Sequence, residues 1–380
     1  MNFRDILFSL LFLLVQGAPT TVPTHNYGEI TLAITFQYGW IWNDTGTGAR
    51  IPLQMWRPQA QNPGFRPLGS VGENNYNDIN DKRGTVMMAL NAEVKPKDPK
   101  YPALTDPKGW DQRWYDNPGR GRYRGSIWRP ICPTRYVCVG DVGVSSHKEP
   151  EKSAAWCVRT DLVQKGSYAK APIWDDGSGS ELLPLYAGGF RSDDWHFKNE
   201  TTPWVPMIQV ERVYKPFTIS VPKITKDTIP NKDDIYSETK EAAHFLPLTL
   251  LFEPTDEKLL LHKEYPFANV TRAVSWIAKE VWVNDAPGTI THSESLTYGF
   301  TKAQSESFEH TAGIQINAGI GIKAVSFGVS LNYQFTYRKS TENTEFSNEM
   351  RTESYSLPRY AAAVLFVKRV HLEASSVGLV

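Results

Sequence analysis

Residues 311–337 contain two runs in which apolar and polar residues alternate, and this stretch constrains the fold most. Successive side chains of a strand point to opposite faces, so each run has one apolar face and one face of small polar residues and glycines. Each run has nine residues, 314–322 and 327–335, which approaches the ~9–11 that a tilted strand needs to cross a bilayer. The predicted apolar face consists of Ile314, Ile316, Ala318, Ile320 and Ile322 in the first run and Phe327, Val329, Leu331, Tyr333 and Phe335 in the second.

Two interpretations fit this alternation. A half-buried hairpin of a soluble sheet produces the same pattern. However, Gly319, Gly321 and Gly328 lower strand stability in water. Small uncharged residues suit a face that later lines a water-filled barrel. The pattern therefore favours a membrane-insertion hairpin with residues 323–326 at its tip.

The flanks of the hairpin are polar on both sides. Small polar residues recur at every second position from Thr289 to His310, and residues 338–357 are rich in Ser, Thr, Glu and Asn without Gly or Pro. The two flanks are predicted to pair as a long ribbon continuous with the hairpin. This plan resembles the aerolysin family of pore-forming proteins over roughly residues 205–380. The resemblance implies that protomers assemble on a target membrane and that each contributes one hairpin to a shared barrel.

The start of the chain has the features of a signal peptide. Arg4 precedes an apolar run from Ile6 to Val15, and small or neutral residues follow at a cleavage position, so residues 1–17 are predicted to be removed. The protein is expected to be secreted and extracellular, and to reach the membrane of a target cell on insertion. Glycosylation sequons at Asn43, Asn199 and Asn269 fit secretion.

The net charge and the cysteines bear on the binding partners and on the disulfide bonds of the protein. The net charge is zero, which gives no general attraction to nucleic acid. The three cysteines are Cys132, Cys138 and Cys157, so an oxidising compartment predicts one bridge and one leftover thiol. A Cys132–Cys138 bridge would close a small loop and a Cys138–Cys157 bridge a larger one, and the sequence does not choose between them.

The first two hundred residues contain an internal repeat. In two copies a pair of tryptophans lies fourteen residues apart, Trp42 with Trp56 and Trp114 with Trp128, and the second tryptophan begins Trp-Arg-Pro. A third, shorter copy begins at Trp174. Three such units predict three similar sheets around a pseudo-threefold axis, because one sheet alone could not bury its apolar face. The expected head is a β-prism with the tryptophans in its core.

The same region carries a second resemblance. Residues 126–143, 156–163 and 173–179 are similar to the vacuolar protein sorting-associated family numbered sixty-two, within a match over about residues 40–195. The family name implies a trafficking role, whereas the predicted signal peptide and stem argue against a cytosolic sorting factor. The first copy lacks the Val-Cys-Val element and the third lacks Trp-Arg-Pro, so no family-wide site is carried over.

The turns of the repeat hold candidate ligand-binding residues. Asp44, Asp116 and Asp176 are interpreted as turn caps that satisfy tight Gly-rich turns. The alternative hypothesis makes them ligands of a sugar or of calcium. Arg122 and Arg124 belong to a basic run that is either a solvated loop or a site for phosphate headgroups or sialylated glycans.

The sequence carries no enzyme motif, and no cofactor or metal is expected. The predicted fold is mainly β, with a signal peptide at 1–17, a β-prism-like head at 18–200 and an elongated aerolysin-like antiparallel β module with an insertion hairpin at 201–380. Within the module, Lys258–His262 and Val274–Val283 are interpreted as strands. The predicted function is pore formation by a homo-oligomer after binding a lipid or glycan receptor. The alternatives are a secreted lectin-like glycan or lipid-binding protein without pore activity, and a vacuolar trafficking factor.

Overall fold

A computed structural model shows a chain built almost entirely of β-strands. It describes residues 21–116, 121–166, 168, 171–177, 180–185, 189–194, 203–209, 222–240, 244–250, 252–298, 314–317, 321–324, 330–334 and 349–376. The predicted signal peptide at 1–17 lies outside these residues.

The strands are short in the first half of the chain and longer in the second. They are β1 (Thr24–Tyr27), β2 (Ile30–Thr35), β3 (Tyr38–Asn43), β4 (Gln54–Pro58), β5 (Val71–Glu73), β6 (Thr85–Leu90), β7 (Leu104–Thr105), β8 (Gly109–Tyr115), β9 (Ser126–Ile131), β10 (Tyr136–Cys138), β11 (Val142–Val144), β12 (Cys157–Arg159), β13 (Val163–Lys165), β14 (Trp174–Asp175), β15 (Ser180–Pro184), β16 (Phe190–Asp194), β17 (Trp204–Gln209), β18 (Ile235–Lys240), β19 (His244–Pro247), β20 (Phe267–Asn284), β21 (Ile290–Tyr298), β22 (Ile314–Asn317), β23 (Gly321–Ala324), β24 (Ser330–Gln334), β25 (Glu349–Leu357) and β26 (Ala361–Ser376). The α-helix among the described residues is α1 (Glu257–Leu261).

Three of the sheets repeat one pattern, which confirms the predicted internal repeat. They have the orders β3-β4-β5, β8-β9-β11 and β14-β15-β16, and all are antiparallel. In each, a tryptophan on the first strand faces an apolar residue on the second, which faces a small residue on the third. The three rows are Trp42, Met55 and Gly72; Trp114, Ile127 and Gly143; and Trp174, Leu182 and Ser192.

The first tryptophans of the three sheets meet in the centre of the head. Their ring centroids are 5.2 Å apart for Trp42 and Trp114, 4.9 Å for Trp114 and Trp174, and 6.2 Å for Trp42 and Trp174, each in an edge-to-face arrangement. Edge-to-face packing at such distances is favourable for aromatic rings. The predicted β-prism-like head therefore has its tryptophan core on a pseudo-threefold axis.

The small residues of the rows are required by close packing between the sheets. A Cβ placed on Gly72 would lie 2.6 Å from Cδ1 of Ile173, and one on Gly143 would lie 2.9 Å from Sδ of Met55. Contacts this short are repulsive, so the side chain of Ile173 or Met55 would have to shift to admit a larger residue. The glycines are thus part of the core pattern.

A buried ion pair ties the three sheets together. Arg129 on β9 donates to Asp141 through Nε (2.8 Å) and Nη2 (3.0 Å), and Asp141 is fully buried. Asp141 also accepts from the amide of Ser192 on β16 (2.7 Å), and its carbonyl accepts from the amide of Ser70, which precedes β5 (2.8 Å). Burial alone would lower the pKa of Arg129, but the adjacent carboxylate raises it above its ordinary value, so the guanidinium stays protonated.

A second core lies beside the prism and draws on both halves of the chain. It contains buried residues of β2, β6, β7 and β12, together with Val205, Leu246, Leu248, Leu259 and Ala268. The hydrophobic effect on this shared core holds the first and second halves together. The boundary predicted at residue 200 stays a prediction, and this core crosses it.

The second half is dominated by one long strand pair. β20 and β26 run antiparallel with Cα pairing from Ala268 with Ser376 to Asn284 with Ala361. The predicted strand at Val274–Val283 is confirmed as part of β20. The predicted strand at Lys258–His262 is wrong, because these residues largely form α1, which Asp256 caps by accepting from the amide of Lys258 (2.8 Å).

Candidate functional sites

The carboxylate of Asp44 is a structural group inside the head. It is 3% exposed, accepts a hydrogen bond from the indole of Trp174 at 3.0 Å through Oδ2, and accepts from the hydroxyl of Tyr76 at 2.6 Å through Oδ1. Trp174 belongs to another sheet, so this contact fastens two repeats together. Both carboxylate oxygens therefore already have protein donors.

Asp116 and Asp176 also accept hydrogen bonds from their own hairpins. Oδ1 of Asp116 accepts from the amide of Gly125 (2.8 Å) and lies 2.5 Å from Nε2 of His147. Oδ1 of Asp176 accepts from the amide of Ser180 at 3.1 Å. These contacts support the interpretation of the aspartates as turn caps. The hypothesis that they bind a sugar or calcium stays a prediction.

An exposed aromatic and basic surface lies beside these turns. Trp40 is 43% exposed and packs edge to face against Tyr123, with ring centroids 5.1 Å apart. The guanidinium carbon of Arg122 lies 5.4 Å from the centre of the Tyr123 ring, and the Arg122 amide donates to the carbonyl of Thr45 (2.9 Å). We call Trp40, Arg122 and Tyr123 the aromatic-arginine patch. Sequence reasoning missed Trp40, since only its exposure distinguishes it from the core tryptophans.

The remaining candidate arginine and the three glycosylation sequons lie at separate places in the chain. Arg124 is exposed. Asn43 ends β3, and its Oδ1 accepts from the amide of Thr45 (3.2 Å). Asn269 lies in β20 with β19 on one side and β26 on the other. Asn199 lies outside the described residues.

The cysteines form one bridge and leave one thiol, as the odd number predicts. The bridge joins Cys132 to Cys157, and Cys138 is free and buried. Neither bridge considered from the sequence is the one observed. Sequence spacing could not identify it, because β10 brings Cys138 opposite Cys157 while Cys132 approaches Cys157 separately.

The predicted insertion hairpin is arranged differently in this structure. Residues 314–322 do not form one strand: β22 pairs antiparallel with β23, with Ile316 opposite Ile322 and Asn317 opposite Gly321. Lys323 and Ala324 lie in β23 and not at a hairpin tip. Asn and Gly are favoured where a chain reverses, which accounts for the division of the first run. Ala318, Ile320, Phe327, Val329 and Phe335 lie outside the described residues.

The pairing of β22, β23 and β24 nevertheless places the apolar residues of the three strands opposite one another. Ile314 and Ile316 of β22 are opposite Ala324 and Ile322 of β23, and Ile322 is opposite Tyr333 of β24. Directly opposed residues of an antiparallel pair lie on the same face of the sheet. Ala324 is likewise opposite Leu331, so the described residues of the predicted apolar face share one face of this three-stranded sheet.

A short parallel pairing connects this sheet to the body of the protein. β24 pairs with β17 over three residues, Met207 with Ser330, Ile208 with Leu331 and Gln209 with Asn332. β17 in turn pairs antiparallel with β13 of the first half. The β22-β23-β24 sheet is therefore joined to β17, and through it to the first half, by a parallel pairing of three residues.

The predicted polar ribbon is confirmed where the structure describes it. β21 and β25 pair antiparallel over nine residues, from Ile290 with Leu357 to Tyr298 with Glu349. Opposed hydroxyls form a ladder along the exposed face: Thr291 with Ser356 (3.3 Å), Ser293 with Ser354 (2.8 Å) and Ser295 with Thr352 (3.1 Å). Cross-strand hydroxyl pairs of this kind stabilise an antiparallel ribbon modestly.

The opposite face of the ribbon packs on β20. The ring of Trp282 stacks on His292 at 5.4 Å and lies 5.6 Å from Tyr355. At the end of the ribbon, the amide of Asn284 donates to the carbonyls of Leu357 (3.0 Å) and Pro358 (2.9 Å). The ribbon is therefore anchored at its base by β20, while its hydroxyl face is free.

The described residues hold no cluster of three metal-ligating side chains. Within the same residues, no helix is long and apolar enough to span a membrane.

The chain resembles one protein family over part of its length and several solved structures at low identity. No curated protein matches the chain. One similar structure is described as GNIP1Aa from Chromobacterium piscinae, with 21% identity, a TM-score of 0.35 and coverage of 42% of this chain but only 32% of that chain. Another is described as Cry35Ab1, with 13% identity, a TM-score of 0.29 and coverage of 93% of this chain and 85% of that chain. Both TM-scores are below 0.5, so neither likeness establishes a shared fold.

The family match falls on the part of the chain that contains the three-sheet head. Residues 12–190 match the family described as Vacuolar protein sorting-associated protein 62. This range includes the first tryptophans of all three repeats and the three cysteines. The head of the protein is therefore similar to the vacuolar protein sorting-associated protein 62 family.

Proposed function

We propose that this is a secreted β-pore-forming protein that binds a target membrane through its head, oligomerises and inserts one amphipathic hairpin per protomer into a shared β-barrel. The observation that carries the proposal is the position of the amphipathic segment between the two strands of the polar ribbon. β22, β23 and β24 follow β21 and precede β25 in the chain. An extension of the β21–β25 ribbon would therefore carry the segment to its far end.

Before insertion the segment would be kept in the β22-β23-β24 sheet. Its apolar alternation shares one face of the β22-β23-β24 sheet, and only the three-residue β17–β24 pairing joins that sheet to β17. Parallel pairing is slightly less stable per residue than antiparallel pairing. Release of β24 from β17, followed by separation of β22 from β23, would allow residues 314–335 to straighten into a hairpin.

One hairpin supplies two strands, so the barrel requires several copies of the chain. A barrel wide enough for a water channel needs well over eight strands, which corresponds to about seven or more protomers. The described part of the ribbon supports such assembly, since β21 and β25 pair only with each other there and each keeps one open edge. Open strand edges pair readily with further strands.

A disulfide lock tests the release step directly. Ile208→Cys and Leu331→Cys occupy directly opposed positions in β17 and β24, and the Cys138→Ala background removes the native free thiol. We expect the oxidised lock to lower dye release from vesicles at least tenfold and a reductant to restore it. A matched lock in the ribbon, Thr291→Cys with Ser356→Cys, joins strands that stay paired and should leave leakage unchanged. Equal leakage from both oxidised proteins would refute the release step.

A charge placed on the predicted lipid face tests insertion itself. Ile316→Asp with Val329→Asp should abolish leakage while leaving membrane binding intact, because the two charges on the lipid face cost several kcal/mol in total. The matched control, Gln315→Asp with Ser330→Asp, charges the opposite face and should retain leakage. Retained leakage by the first variant would show that this hairpin does not cross the membrane.

The aromatic-arginine patch favours one alternative, a secreted lectin-like protein that binds glycan or lipid without forming a pore. An exposed tryptophan beside a tyrosine and an arginine is suited to stacking on a sugar ring and to pairing with an anionic group. Binding to vesicles or glycans with no leakage and no large membrane-bound oligomer would support this alternative. A stable ring that forms only on membranes would support pore formation.

A further inference from the structure

Cys157 occupies a position between two other cysteines. It lies on β12, the central strand of the β10-β12-β7 sheet, and is completely buried. Its sulfur is bonded to that of Cys132, which is half-buried. Its Cα is directly opposite the Cα of Cys138 on β10. Cys138 is the free thiol.

The backbone positions allow Cys157 to bond with either partner. A disulfide requires Cα atoms about 4.4–6.8 Å apart. Cys132 and Cys157 meet this requirement at 5.7 Å. Directly opposed residues of an antiparallel pair have Cα atoms about 4.5–5.5 Å apart and side chains on the same face, so Cys138 meets it as well.

A buried positive charge lies against the free thiol. Nη2 of Arg191 is 3.1 Å from Sγ of Cys138, and Arg191 is 7% exposed. Nε of Arg191 has no hydrogen-bond partner among the described residues. A guanidinium in this position stabilises an anionic sulfur, which is the form that attacks a disulfide.

We propose that Cys138 is the nucleophile of an internal thiol–disulfide exchange that turns Cys132 into a reactive surface thiol. Cys138 gives its proton to solvent, and its sulfur attacks Sγ of Cys157. The Cys138–Cys157 bond forms as the Cys132–Cys157 bond breaks, and Cys132 leaves as a thiolate that takes up a proton. One disulfide and one thiol are present before and after, so the step needs no external oxidant or reductant. The product places the modifiable thiol on the half-buried Cys132 in place of the buried Cys138.

Alkylation of the folded, full-length secreted protein tests the exchange. The unreduced protein is incubated with iodoacetamide at pH 8.5, and its labelled and bridged peptides are mapped by mass spectrometry. We expect Cys132 to be labelled together with the appearance of a Cys138–Cys157 bridge. Labelling of Cys132 should be at least tenfold slower in Cys138→Ala and in Cys138→Ser, because both lack the nucleophile. Equal labelling of Cys132 in the native protein and these variants, or no labelling of Cys132 in any of them, would overturn the proposal.

A second variant tests the alternative bridge without relying on kinetics. In Cys132→Ser the two remaining cysteines are those that face each other across β10 and β12. We expect this protein to be secreted with a Cys138–Cys157 bridge and no free thiol. Two free thiols in folded Cys132→Ser protein would overturn the geometric basis of the proposal.

Arg191 is a positioning residue in this exchange, and its role has a separate readout. Arg191→Gln should slow the labelling of Cys132 severalfold relative to the native protein at the same pH, because the positive charge beside the attacking sulfur is lost. Arg191→Lys keeps the charge and should restore most of the rate. A purely structural role would lower the melting temperature of both variants without separating their labelling rates.

Discussion

The three sheets of the head and the β21–β25 ribbon are built from the same kind of antiparallel strand pair, but they differ in where their side chains lie. The sheets of the head bury large aromatic side chains, and the ribbon exposes small polar ones. In the head, each sheet turns a tryptophan inward, and Trp42, Trp114 and Trp174 meet on one axis. In the ribbon, one face carries a ladder of exposed hydroxyls and the other rests on Trp282. The repeats of the head pack on one another, whereas among the described residues the ribbon has one exposed face and two unpaired edges.

This difference has a physical consequence for what each region can do. A close-packed aromatic core loses stability with any change of arrangement, because its contacts depend on shape. A polar ribbon can extend or acquire new neighbours at little cost, since its exposed groups exchange hydrogen bonds with water or with another strand. The head is therefore suited to a fixed recognition surface, and the ribbon to a change of pairing.

The largest effect is expected at the ion pair that joins the sheets of the head. Asp141→Ala leaves Arg129 buried without its carboxylate, which should lower the free energy of unfolding by about 3–5 kcal/mol. Urea denaturation measures this change. The matched control is Asp106→Ala, because Asp106 pairs with Arg66 at 2.6 Å but its side chain is 53% exposed. The control should lose less than about 1 kcal/mol, and equal losses would contradict a special role for the buried pair.

A smaller loss is expected at a glycine where one sheet packs closely on the next. Gly72→Ala introduces a Cβ 2.6 Å from Ile173, and overpacking of this kind should cost about 1–3 kcal/mol. Gly109→Ala is the matched control in the neighbouring sheet, since a Cβ there meets no atom within 4 Å. Thermal unfolding should show a clearly lower midpoint for Gly72→Ala alone. Indistinguishable midpoints would show that the side chain of Ile173 shifts at no cost.

The sequence predicted the head well because its signal is periodic. The equal spacing of Trp42 with Trp56 and of Trp114 with Trp128 predicts a repeated core. The alternation in residues 290–298 and 349–357 predicts a ribbon with one polar face. Such patterns reflect local geometry, namely the two-residue period of a strand and the repeat of a sheet.

The errors occur where long-range contacts decide the structure. The β22–β23 pairing divides a run that alternates without interruption, and its β24 neighbour is held by β17, more than a hundred residues earlier in the chain. The Cys132–Cys157 bridge likewise depends on how β10 and β12 meet. At Lys258–His262 the predicted strand is replaced by α1, which Asp256 caps at its start. Periodicity within a segment contains no information on which distant strand will be its neighbour.

Mild acid should weaken the contact between β1 and the second half of the chain. His25 stacks on Phe245 with centroids 4.4 Å apart and bonds to the hydroxyl of Tyr265 at 2.9 Å. Burial lowers the pKa of His25 below its ordinary value of 6.5. The unfolded chain therefore takes up a proton at a higher pH than the folded protein, so the contribution of His25 is present above pH 6.5 and is lost as the pH falls through the folded-state pKa.

The measurement is the free energy of unfolding at pH 7.5 and pH 5.5. We expect a fall on acidification, with a slope from this group of at most about 1.4 kcal/mol per pH unit. His25→Phe should remove that part of the slope while keeping the aromatic packing. Glu29 does not interfere, because its hydrogen bond from Arg159 lowers its pKa from 4.5 and places its contribution at more acid pH. An unchanged slope in His25→Phe would assign the acid response to other groups.

The smallest effect is expected in the hydroxyl ladder of the ribbon, and it sharpens the contrast with the head. Ser293→Ala with Ser354→Ala removes an exposed pair at 2.8 Å, and solvent already competes for such a bond, so the free energy of unfolding should change by less than about 0.5 kcal/mol. Trp282→Ala removes the ring beneath the opposite face and should cost about 1–3 kcal/mol. If the serine pair proved as costly as the tryptophan, the ladder would be a stabilising element of the folded protein. A near-zero change would show that the hydroxyl face contributes little to the stability of the folded protein, in contrast to the tryptophan core of the head.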